Sequence, residues 1–210
     1  MRCRRKGPPV LLMLLLHAAV ERAEVIDRVL AVVNGHLITL SDVRRVVELG
    51  LVTGGRSDDP GEAVLSQLID RRLVLEEVER YAPPEPDPTT IAASVAVIQR
   101  QAGGQAGLDA RLPALGVDQS WLEQWVRDDF RIHAYVEQRF AGAMEATDEE
   151  IENYVREHTG DFVRNGQPLP APEAQSAARE RVIATRREAL TTEWLDGLRK
   201  RAEITKPAGH

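Results

Sequence analysis

Hydrophobic and polar positions change period several times along the chain, and each change marks an element. Val25, Ile26, Val29, Leu30, Val32 and Val33 form a β-branched, mostly apolar run of the kind that builds a strand. Asn34-Gly35 follows, and His36-Leu37-Ile38-Thr39 resumes the extended pattern. Asn-Gly between two such runs predicts a tight hairpin, because a primed turn needs positive φ at both central positions. Behind it Ser41 offers an N-cap oxygen and Asp42 a first-turn charge, with Val43, Val46 and Val47 at helical spacing. The chain therefore opens as a hairpin followed by a helix.

Helical periodicity dominates the rest. Asp59 is placed to cap a helix with Pro60 at its first position and Leu65, Leu68, Ile69 and Leu73 along one side. Pro83, Pro84, Pro86 and Pro88 end it. Asp87-Pro88 starts another helix, with Ile91, Val95 and Ile98 at the right intervals, and Gly103, Gly104 and Gly107 are expected to break it. A short amphipathic piece carries Leu108, Leu112 and Leu115. Asp118 then caps a long helix holding Leu122, Trp125, Val126, Ile132, His133, Val136 and Phe140. Thr147 and Glu150 form a capping box ahead of Ile151, Tyr154 and Val155. Residues 161 to 172 read as a polar linker with three prolines. A last helix is expected from about Glu173 to Arg201, with Val182, Ile183, Leu190, Trp194 and Leu198 inward, and Glu203-Ile204-Thr205 as a brief closing strand.

Composition separates the first 24 residues from the remainder. Arg2, Arg4, Arg5 and Lys6 precede the apolar run Val10 to Leu16 and the small pair Ala18 and Ala19, which describes a secretory signal peptide. The run is far short of the roughly 20 residues that cross a bilayer, so no stable membrane anchor is expected. Cleavage after Ala19 or Ala23 removes Cys3, and the product then has no thiol for a disulfide, a metal site or a nucleophile. Without residues 1 to 23, 22 basic and 32 acidic side chains remain, a net charge of −10. Such an acidic body argues against a nucleic-acid partner and suits a protein that stays dispersed while exposing apolar surface.

The order of these pieces resembles that of SurA-type chaperones. Ile26 to Gly35 with Ile38-Thr39-Leu40-Ser41-Asp42-Val43 is similar to that family's opening strand, turn and helix start. Leu68-Ile69-Asp70-Arg71-Arg72-Leu73 resembles its second motif, Leu112 to Leu122 its third segment, and Thr147-Asp148-Glu149-Glu150-Ile151 the helix start that precedes the isomerase domain in fuller members. The resemblance implies a mainly α fold: a lobe of packed helices with a small antiparallel sheet made from the N-terminal hairpin and a returning C-terminal strand between Ala202 and Lys206. It implies one chaperone domain over residues 25 to 210, with helices to about 160, the linker 161 to 172, and the C-terminal helix and strand over 173 to 206. In place of a parvulin-type isomerase domain the chain has only that linker. A dozen residues cannot build such a domain, so no enzyme is expected, even where an isomerase label is inherited from longer relatives.

Residue patterns for catalysis are absent too. No Gly-x-Ser-x-Gly or phosphate-binding loop is present, and His36, His133 and His158 are too dispersed for a metal site. No cofactor is expected. His133 reads as a satisfied or lining residue and Glu149-Glu150 as servants of a helix start. The aromatic group Trp121, Trp125, Phe130, Tyr135 and Phe140 is the candidate peptide-binding site. Trp125 and Phe140 lie on the main apolar stripe and fit core packing, whereas Trp121, Phe130 and Tyr135 fall partly off it and could project into a groove. The expected function is an ATP-independent periplasmic holdase for unfolded or extended polypeptides, by resemblance outer-membrane protein precursors, with a homodimer left open. The alternative is an assembly protein that docks one fixed partner.

Overall fold

The structure is a computed structural model that describes residues 27–52, 59–143 and 145–207, so the expected signal peptide lies outside the described residues. Strands β1 (Val29–Val33) and β2 (His36–Thr39) pair antiparallel, with Val33 opposite His36, Val32 opposite Leu37 and Ala31 opposite Ile38. Asn34 and Gly35 take φ of 47° and 84°, as the primed turn requires. Val25 and Ile26, counted in the predicted strand, lie outside the described residues.

Seven α-helices follow among the described residues: α1 (Leu40–Glu48), α2 (Pro60–Tyr81), α3 (Pro88–Gln101), α4 (Gln105–Ala114), α5 (Gln119–Phe140), α6 (Asp148–Glu157) and α7 (Ala171–Arg201). The predicted closing strand is present as β5 (Ile204–Thr205). It pairs antiparallel with β1, so the sheet runs β2-β1-β5 with the first strand at its centre. Asn34 holds the return: its backbone N–H donates to Glu203 O at 2.9 Å, while Glu203 N–H donates to Asn34 Oδ1 at 2.8 Å. Asn34 Nδ2 donates to Glu76 Oε2 at 2.7 Å, tying the hairpin to α2. The Arg199 guanidinium grips Asp70 through Nε–Oδ1 at 2.6 Å and Nη2–Oδ2 at 2.8 Å, which fixes the end of α7 to α2.

Three expectations are corrected. The cap of α1 is Thr39, not Ser41: Thr39 Oγ1 accepts from Asp42 N–H and Asp42 Oδ2 accepts from Thr39 N–H, while Ser41 N–H donates to Asp27 Oδ1. Gly103 and Gly104 end α3, but Gly107 lies inside α4. Its reason for being glycine is spatial, since a Cβ there would meet the Ala102 carbonyl oxygen at 2.1 Å. The predicted linker contains structure: a 3-10 turn over Thr159–Phe162 and a second hairpin, β3 (Val163–Arg164) with β4 (Gln167–Pro168), closed by Asn165-Gly166. Phe162 is buried against α6 and α7.

Buried side chains fall into three clusters. The first joins the hairpin, α1 and α2 to Tyr135, Trp194 and Leu198. The second gathers α3 and α4 around Leu122 and Val126 of α5. The third lies between α6 and the first half of α7, around Ile151, Phe162, Ala174 and Ala178. At 31 residues, about 46 Å, α7 is long enough to serve both the third cluster and the first. Arg179 and Arg186 pin it to the turn before α6, through the carbonyls of Ala146, Ala143 and Glu145 and the carboxylates of Asp148 and Glu150.

Hydrogen bonding at helix starts gives a pH dependence. Asp87 accepts from Thr89, Asp118 from Ser120 and Trp121, and Glu150 from Thr147, and these bonds hold all three carboxyls below their ordinary values. A group depressed in the folded state contributes stability above its unfolded pKa, and that contribution is lost as pH falls through the folded value. Asp70 and Asp128 are pushed upward by burial and act in the opposite sense, their contribution falling as pH rises. Glu150→Gln retains a capping side chain but does not titrate. Melts at neutral and at acid pH are therefore expected to show a smaller acid loss for Glu150→Gln than for the wild type.

Candidate functional site

Helix α5 packs against α2, α3 and α7. Asp118 starts it by accepting from Trp121 N–H at 2.9 Å, and its 22 residues contribute to both main clusters. Clefts form where its neighbours leave it uncovered, and three of them are bounded by β2 or α3.

The first is a groove of about 290 Å3 between β2, α2 and the start of α5. His36, Leu37 and Ile38 form one wall, Leu68 and Leu75 line it from α2, and Trp121 and Trp125 stand opposite. The two indoles stack with centroids 5.7 Å apart. Arg71 fixes the inner one: its guanidinium lies 3.7 Å above the Trp125 ring, and Nη2 donates to Trp125 O at 2.9 Å. Arg71 also bonds Asp129. The buried Trp125 Nε1–H finds no acceptor among the described residues. Leu37 is 60% exposed, a large apolar side chain presented to solvent at the groove's rim. β2 is an edge strand, and Leu37 pairs with Val32 one step beyond the turn. In a two-residue hairpin the alternation of an antiparallel ladder turns the N–H and C=O of that residue away from the partner strand. Burial raises the carboxyl of Asp128 at the groove's edge, against a hydrogen bond from Gln124 and the charges of Arg71 and Arg131.

The five predicted aromatics do not form one site. Trp121 and Trp125 share this groove. Phe130 lines a second, largely apolar cleft of about 360 Å3 with Val97, Ile98, Val126 and the exposed His133. Tyr135 stands apart from both, on a cleft of about 280 Å3 that it lines with Tyr81, Gln138 and Arg139. It is 6% exposed, packed 5.6 Å from Tyr81 and 5.8 Å from Trp194, and burial raises its hydroxyl pKa. Phe140 is half-buried, edge-on to Trp194 at 6.0 Å. Leu37 and Arg71 were missed. Leu37 carried a signal, since an apolar residue at the outward register of an edge strand stays exposed. Arg71 carried none, its partner being 54 residues away.

Glu150 serves its capping box, as expected, and His158 stacks on Tyr154 at 4.0 Å. Among the described residues no group of three His, Cys, Asp or Glu side chains could hold a metal ion, and no helix is long and apolar enough to cross a membrane.

No family model and no curated protein sequence matches the chain. Among solved structures it is similar to one of the pair PEB4, a virulence factor, and Cj1289, a periplasmic protein, two structurally related SurA-like chaperones of Campylobacter jejuni. The TM-score is 0.52 at 10% identity, over 87% of this chain and 100% of that one. At that identity the likeness is one of fold, here mainly helical with a small antiparallel sheet closed by the C-terminal strand.

Proposed function

We propose that the protein is an ATP-independent chaperone that holds unfolded polypeptides, with extended segments lying in the groove between the β2 edge and Trp121–Trp125. The observation that carries this reading is an open apolar trough whose rim is a strand edge. An edge offers main-chain hydrogen bonds to any sequence, and stacked indoles offer apolar contact without a shaped pocket. The chain's acidic surplus opposes self-association of a molecule that exposes such a surface. The likeness of fold, together with the opening motif Ile26 to Val43, supports the periplasm as compartment and outer-membrane protein precursors as clients. Isomerase activity is not part of the proposal, and proline-peptide isomerisation at the buffer rate is the expected assay result.

The test is light scattering from an unfolded porin diluted with an equimolar amount of the protein. Wild type is expected to suppress most of the signal. Trp121→Ala is expected to weaken client binding about tenfold, the scale of an aromatic hot spot. Leu37→Asp should act similarly and leave the melting temperature unchanged, because the side chain is already in solvent. Suppression that survives both substitutions together would place client binding elsewhere.

A fixed partner is the second reading, and α1 supplies its observation. Leu40 and Val47, seven residues apart on one helix side, are both exposed. If serine at these two positions, rather than the groove substitutions, removes activity, the docking role replaces the holdase.

A further inference from the structure

We infer that the third cleft along α5 is a carboxylate-binding site, with Arg127 and Arg131 as its cations and a short apolar body as the rest of its ligand. The cleft lies between the start of α3 and α5 and has a volume of about 670 Å3. Arg127 and Arg131 are four residues apart, so both guanidinium stems rise from one side of the helix.

Their circumstances differ. Arg131 has two acidic neighbours, Glu85 at 3.3 Å and Asp128 at 3.7 Å. Arg127 has none. It is half-buried, its Nε, like that of Arg131, is shielded from solvent without a hydrogen-bond acceptor, and, unlike Arg131, none of its nitrogens has an ion-pair partner among the described residues. Withdrawing a cation from water without an opposite charge is unfavourable, and carboxylates are the commoner charge in this chain, at 33 against 27 basic residues. The carboxylates nearby are engaged: Glu85 pairs with Arg131, and Asp87 Oδ1 accepts from Thr89 N–H and Oγ1 as the cap of α3. Among the described residues the fold thus supplies Arg127 with no anion.

The surroundings choose the anion. Two forked guanidinium groups match the two oxygens of a carboxylate. Pro86, Pro88 and the buried Ile91 add an apolar wall, which a fully hydrated inorganic anion cannot use. A carboxylate on an aliphatic body uses both. The C-terminus of a polypeptide ending in an apolar residue has this chemistry, and so does a free alkanoate. The site stands apart from the Trp121–Trp125 groove and does not depend on client holding, so a failure of porin protection leaves it intact.

The test is calorimetric titration of the purified protein with three probes: a short apolar peptide with a free C-terminus, the same peptide amidated, and hexanoate. The free-acid peptide is expected to bind about tenfold more tightly than its amide, and Arg127→Gln to erase that difference while leaving the amide's affinity unchanged. Binding by hexanoate but not by the peptide, lost in Arg127→Gln, would assign the site to free carboxylates. The melting temperature of unliganded Arg127→Gln should equal or exceed wild type, because an unanswered cation has been removed. Equal affinity for acid and amide with no response to hexanoate overturns the site. So does discrimination that persists in Arg127→Gln, or a melting temperature that falls, which would make Arg127 a structural residue.

Discussion

Leu122→Ala is expected to lower the free energy of unfolding by about 3 kcal/mol, within the range of buried leucine truncations that leave a cavity. Leu122 has no solvent exposure and stands among Leu49, Ile91, Val95, Ala102, Leu108 and Leu112. These residues come from α3, α4 and the caps that follow α1 and α3, so no single element can shift to fill the void. The urea midpoint should fall with little change in slope, since the surface exposed on unfolding is nearly the same. Function should suffer with stability. Trp121 and Trp125 lie beside Leu122 on α5, and Arg127 five positions on, so loosening this helix disturbs both proposed sites. Trp121→Ala, at the half-buried margin, should cost much less stability and more binding.

Gly107→Ala tests the reading of α4 by its sign. Alanine is the better helix former by about 1 kcal/mol, so propensity alone predicts stabilisation at this interior position. The structure predicts the reverse. The new methyl would lie 2.1 Å from the Ala102 oxygen and 3.0 Å from its carbon. Both are backbone atoms, held where α3 ends by the hydrogen bond from Ala102 N–H to Ile98 O. Relief requires α3 and α4 to move apart, and overpacking of this kind costs about 1–3 kcal/mol. Gly142→Ala is the control: nothing lies within 4 Å of its Cβ position, and no change in midpoint is expected. A stabilised Gly107→Ala would show that the α3–α4 junction is looser than described.

These two positions show what the amino-acid pattern could and could not carry. Leu122 was placed inward by helical period alone, and the period held because α3 and α4 cover that side. Gly107 was taken for a helix break, since a glycine needed for close approach looks in sequence like one needed for a turn. Asn34-Gly35 and Asn165-Gly166 make the same contrast. Both close hairpins, but only the first stands between β-branched runs, and the second is flanked by Val163-Arg164 and Gln167-Pro168. Thr39 was assigned wholly to the strand, although its hydroxyl caps the next helix. The aromatic group shows the limit most clearly. Tyr135 falls off the main stripe of α5, yet it is buried because Trp194 of α7 covers it, and a contact across 59 positions leaves no local trace. The Arg127 cleft was invisible for the same reason, because a guanidinium's lack of a partner is a property of the folded surroundings.

The position of β5 beside β1 has a kinetic consequence. The innermost strand of the sheet is separated from one of its two neighbours, Ile204–Thr205, by all seven of the described α-helices. Any apparatus that releases the polypeptide from its amino end first must deliver those helices before the ladder can be completed. Until then the hydrogen-bonding groups of Val32 and the backbone N–H of Asn34 on that side stay open, and a nascent molecule is for that interval itself the sort of substrate that chaperones receive.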